Sequence, residues 1–230
     1  MQQGSFSTWA GISGLVATLA FIATIGIANL SSVTAPTGPG EMLAYLESVA
    51  GAPWPIYGYG IAGVVLCIAY MPMAIGAYRL LGRSTGAWYG TAAIVVGLVV
   101  LFPAYVLNML APAGLSEAAE VTGAAGSHAL YVTYAAATSL GELFFTVGSV
   151  LTLCIGPLLW GFLWVRSLNR FRSVGWLGLL TGITGAVWFV WLVDSPAIAI
   201  TLMGNVLLSL GLFIGVSIAL LADSRDLRSG

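Results

Sequence analysis

A chain of 230 residues with 59% hydrophobic and only 7% charged side chains, at a mean hydropathy of +1.00, has too few polar groups to cover a surface in water. It is expected to lie mostly in a lipid bilayer as a single domain, 1–230, because the connections between its apolar runs are too short to fold separately. The net charge of −1 conceals a segregation of signs, and a chain without lysine or a dense basic face is not built to bind nucleic acid.

A hydrocarbon core about 30 Å thick needs roughly 20 apolar residues per helix. Six runs meet that length, at 9–30, 56–81, 87–110, 137–165, 175–193 and 198–222, so the expected class is an all-α polytopic membrane protein with six transmembrane helices. The first run is too long for a secretory core and has no positive residues before it, which reads as a retained helix. All seven basic residues, Arg79, Arg83, Arg166, Arg170, Arg172, Arg225 and Arg228, fall at the same end of an apolar run. Glu41, Glu47, Glu117, Glu120 and Asp194 occupy the opposite connections. The positive-inside rule then places both termini in the cytoplasm of a bacterial inner membrane; a bacterial source is suggested by arginine used to the exclusion of lysine beside abundant Gly and Ala.

Two outer connections have internal pattern. Residues 31–54 open with the turn-rich stretch Ala35–Gly40 and then set Met42, Leu43, Leu46 and Val49 on one helical face. That is a short helix, either lying in the outer interface or folded over the bundle. Residues 112–128 are small and acidic, with Gly114, Gly123 and Gly126 as breakers, and are expected to form a flexible cap.

An internal repeat relates the second span to the fourth. Leu66-Cys67-Ile68 matches Leu153-Cys154-Ile155, each followed by a proline (Pro72, Pro157) and an arginine (Arg79, Arg166), then by Gly86-Ala87-Trp88 or Gly175-Trp176. Helices 2–3 and 4–5 would be parallel hairpin copies related by an axis along the membrane normal. Counting about 1.5 Å per residue from the arginines puts both cysteines roughly 18 Å deep, near the bilayer middle. Paired there, they could act as a thiol-disulfide carrier; singly, each is a small apolar side chain.

Glu142 is the one acid inside an apolar run, and a carboxylate in lipid is by default a candidate functional group. The same ruler sets it roughly 36 Å from Arg166, near the outer face. Asn108, Asp194, Tyr57, Tyr59 and Trp54 lie at outer helix ends and could join it in an outward polar pocket for a ligand or proton. Pro72, Pro103 and Pro157 are expected to kink their helices. Gly86/Gly90, Gly178/Gly182 and Gly211/Gly215 are small-residue pairs suited to close helix packing.

Enzyme signatures are absent. His128 is the single histidine and lies outside the spans, so bis-histidine haem and histidine-rich zinc sites cannot form within one chain. No Gly-x-Ser-x-Gly elbow occurs, and without lysine retinal cannot attach. No cofactor or metal is called for. The stretch from Trp164-Val165-Arg166-Ser167-Leu168-Asn169-Arg170 to Leu177-Gly178, with the six-span layout and the opening Ala10-Gly11-Ile12-Ser13-Gly14-Leu15, resembles the bacterial integral membrane family termed domain of unknown function 4386. The resemblance implies a six-helix membrane protein and carries no activity with it. Three functions stay open: binding or transport of a small or lipophilic molecule from the outer side, an accessory subunit beside other membrane subunits, and the thiol-disulfide carrier.

Overall fold

The computed structural model describes residues 3–30, 35–166, 171–190 and 196–229. Every regular element in them is helical: α1 (Gln3–Leu30), α2 (Met42–Gly51), α3 (Trp54–Leu80), α4 (Thr85–Thr122), α5 (Ser127–Ser149), α6 (Gly156–Arg166), α7 (Arg172–Val190) and α8 (Pro196–Ser229). Short 3₁₀ turns cover Pro39–Glu41 and Gly123–Gly126, and a π-helical segment, Val150–Ile155, joins α5 to α6 without a break. Five of these stretches are long and apolar enough to cross a membrane: Gly4–Leu30, Trp54–Leu80, Thr85–Thr122, Ser127–Arg166 and Met203–Asp226. The chain is thus a multi-pass helical membrane protein. The expected fifth span, 175–193, corresponds to α7, whose 19 residues are not among the five, and its last three positions lie outside the described residues. Large apolar side chains such as Leu19, Ile68, Val99, Leu143, Leu207 and Ile218 are exposed on the helix surfaces, where lipid is the solvent that suits them.

The chain divides into two compact units. Unit 1 comprises 1–19, 66–99 and 147–230, and unit 2 comprises 20–65 and 100–146. Arg79, Arg83, Arg166, Arg172 and Arg225 belong to unit 1, together with Asp223 and Asp226, and all five glutamates belong to unit 2.

Unit 1 is assembled by glycine. Along α7, Gly175, Gly178, Gly182 and Gly185 face the π segment and α6 so closely that a Cβ at Gly178 would stand 2.9 Å from the Pro157 carbonyl oxygen. A Cβ at Gly182 would stand 2.8 Å from the Cys154 carbonyl oxygen. Without a hydrophobic force between helices in lipid, backbone approach of this kind supplies the packing that holds them. Gly86 and Gly90 meet Leu163, Leu159 and Trp160, while Gly211 and Gly215 meet Leu177 and Val174, so all three small-residue pairs noted in the sequence are used inside the chain. Polar ties supplement the seams. Trp160 Nε1 donates to Thr91 Oγ1 at 3.1 Å, and the buried Asn205 amide donates to the Thr181 carbonyl at 2.8 Å and the Thr184 hydroxyl at 3.1 Å.

The three prolines do not act alike. Pro72 and Pro103 sit inside continuous α-helix. Pro157 instead follows the π segment, where Gly156 N–H reaches back five residues to the Leu151 carbonyl. A proline cannot donate to the residue four before it, and its ring crowds that carbonyl; one extra residue in the preceding turn relieves the clash. At the end of α3 the chain reverses through Gly82 (φ 76°) and Arg83 (φ 56°), with Arg83 N–H bonded to the Tyr78 carbonyl, and the Ser84 hydroxyl then caps α4 by accepting from Ala87 N–H.

Unit 2 corrects the expectation of a flexible cap at 112–128. There α4 runs on through Pro112 to Thr122, and α5 starts at Ser127. Leu115, Ala118 and Ala119 recur at helical spacing and pack with Leu130, Tyr131 and Tyr134 of α5 against Met42, Tyr45, Leu46 and Val49 of α2. Of the two placements open to α2, its apolar face is therefore covered by protein.

Candidate functional site

Unit 2 holds a cavity of about 190 Å³ lined by Ala35, Tyr45, Ile56, Leu107, Asn108, Pro112, Tyr134 and Thr138. Each wall has a local cause. The fully helical α4 carries Leu107, Asn108 and Pro112 within little more than one turn, and α5 presents Tyr134 and Thr138 at a spacing of four. Tyr45 reaches in from α2 because Met42, Leu46 and Val49 anchor that helix, and its ring lies 5.2 Å from that of Tyr134. Burial, with the Tyr134 hydroxyl alongside, raises the Tyr45 phenol above its ordinary range, so this wall stays neutral.

Two polar groups open into the space. No hydrogen bond from another described residue reaches the Asn108 amide or the Thr138 hydroxyl. The contrast with Thr133 is instructive, because that hydroxyl on the same helix turns back to the Ala129 carbonyl at 2.9 Å, the usual way a helical threonine satisfies itself. Behind Asn108 stands Gly141, where a Cβ would come within 3.3 Å of Asn108 Oδ1. The glycine lets the amide lie against α5.

The stretch before α2 closes one side. The Glu41 carboxylate accepts from the Thr37 backbone N–H at 2.8 Å and the Thr37 hydroxyl at 2.9 Å, while Tyr131 Oη donates to the Thr37 carbonyl at 3.2 Å. Those two bonds to Glu41 hold its carboxyl below the usual carboxylate range. The strap so fixed carries Ala35 to the cavity wall.

Among the residues singled out in the sequence, Asn108 lies in this wall. Glu142 is on α5 next to Gly141 but turned outward and exposed, and it is not part of the lining. Tyr57 is exposed at the start of α3, as is Trp54. Tyr59 meets Tyr105 at a tilt of 57° with ring centres 5.5 Å apart, and Tyr105 meets Phe145 edge-on at 6.3 Å, a packing role across three helices. Asp194 lies outside the described residues. Cys67 and Cys154 are both buried and free, and Cys154 Sγ donates to the Gly182 carbonyl at 3.3 Å, as a weak donor in a helix contact does. No spacing in the sequence marks Thr138, Tyr45 or Tyr134. Among the described residues no group of three or more His, Cys, Asp or Glu converges as metal ligands would.

No family model, curated protein or solved structure matches this chain.

Proposed function

We propose that this protein is a six-span bacterial inner-membrane protein, N-terminus and C-terminus inside, that binds or transports a small molecule through the Asn108 cavity on its outer side. The observation that carries the binding role is the convergence of an unbonded amide and an unbonded hydroxyl on a space whose other walls are aliphatic and aromatic. Such a combination, apolar walls with a few polar groups to fix orientation, is what small-molecule sites have in common. Orientation rests on the charges, since every arginine belongs to one unit and every glutamate to the other. The family resemblance at 164–178 and the hairpin repeat of helices 2–3 and 4–5 belong to the same proposal. Glu142 is exposed and outside the lining of this cavity.

The test is a fragment screen by thermal shift on detergent-solubilised protein, with hits repeated on Asn108→Leu. A ligand at one hundred times its Kd stabilises by about 2.7 kcal/mol, a readable shift. Hits are expected to lose their effect in the variant. Hits that stabilise both proteins equally would remove the cavity from the function.

A further inference from the structure

Resting on that reading of the cavity, we infer that its ligand is a small, uncharged ring compound with one polar edge that both donates and accepts a hydrogen bond, such as a cyclic or aromatic amide. Size sets the first limit. A cavity of about 150 Å³ holds benzene, and this one, at about 190 Å³, takes a ring with a short polar substituent. Charge sets the second. None of the eight lining residues carries a charge, and an ion moved out of water without a partner is penalised far more heavily than a neutral polar group. None of the five glutamates of unit 2 is in the lining: Glu41 is bonded to Thr37, Glu47 and Glu120 border a separate hollow, and Glu117 and Glu142 are exposed.

Hydrogen bonding sets the third. An amide and a hydroxyl from facing helices supply both donors and acceptors, so a ligand edge with only one kind would leave part of the wall unpaired. Tyr45 and Tyr134, tilted at 59° to each other, add ring surfaces suited to a flat partner. Gly141 belongs to the recognition as a positioning residue, since any side chain there would press on the amide.

Four probes of nearly equal size separate the possibilities: benzamide, ethylbenzene, benzoate and benzylammonium. Binding to the full-length protein in detergent is measured by ligand-observed NMR titration, on the natural sequence and on Asn108→Leu and Thr138→Val. Benzamide is expected to bind roughly tenfold or more tighter than either ion, and each substitution to weaken it about three- to tenfold, the effect of one lost hydrogen bond. Ethylbenzene is expected to be weaker than benzamide and indifferent to both substitutions. If benzoate or benzylammonium bound as tightly as benzamide and depended on Asn108, the neutral class would be wrong while the cavity stood. If no probe bound, or none responded to either substitution, the cavity itself would be refuted as the site. Two variants guard against one that does not fold.

Discussion

Replacing Gly161 by alanine asks whether unit 1 is held by backbone contact. A Cβ at this position would overlap the Leu179 amide nitrogen and stand 2.7 Å from the Gly175 carbonyl oxygen and 2.8 Å from the Gly178 carbonyl carbon. All three are main-chain atoms of α7, so no side chain can swing aside. Restoring ordinary contact with the Leu179 nitrogen needs α6 and α7 to part by roughly 1 Å, and a gap of that size forfeits about half of each dispersion contact along the seam. Overpacking of this kind costs about 1–3 kcal/mol, offset in part by up to about 1 kcal/mol from alanine's better helix propensity. The expected outcome is a fall in melting temperature of roughly 3–8 °C, followed by circular dichroism in detergent. Gly26→Ala on α1 is the control, because nothing lies within 4 Å of a Cβ there; it should melt at the wild-type temperature or slightly above. A Gly161→Ala protein as stable as the wild type would refute the close-contact argument.

Orientation can be read by thiol labelling, since both native cysteines are buried while Thr85 and Glu117 are exposed. An impermeant maleimide applied to intact cells should label Glu117→Cys and spare Thr85→Cys; labelling of the second would invert the topology. The strap gives a pH dependence. Because the Glu41 carboxyl is held below its ordinary range, its contribution to stability is present above the unfolded carboxyl pKa of about 4.3 and is lost as pH falls through the folded value. The stability difference between wild type and Glu41→Gln should therefore be seen at neutral pH and fade below about pH 4. A difference that widened on acidification would show that the Thr37 bonds do not stabilise the strap.

Length and hydropathy alone located five of the six expected spans, because a helix in lipid must be long and apolar whatever its neighbours. The ends were harder. Pro112 and Gly114 read as breakers, yet Leu115, Ala118 and Ala119 already recur at the helical spacing by which α4 packs on α2. Facing was harder still. In water a buried face is apolar and the other polar, but a lipid-facing surface is apolar too, so periodicity does not distinguish Glu142, which points out, from Gly141 beside it, which points in. That is why Asn108 could be singled out in the sequence as polar, while its partners Thr138, Tyr45 and Tyr134 needed coordinates to be found.

The π segment works as a phase shifter. One additional residue in a helix turns everything after it by about 100° relative to everything before. Ahead of the segment and within it, Gly148 and Thr152 lie against Gly97 of α4; after it, Gly156 and Trp160 remain on α4, against Ile94 and Gly90, while Pro157 and Gly161 meet the glycines of α7. The continuous helix keeps its contact with α4 along both parts while the π segment and α6 also pack on α7, and Pro157 maintains the offset because it cannot take up the regular bond. Facing and length are coupled in this helix: removing one residue between 150 and 155 would bring it back to regular α geometry and turn α6 away from its seam.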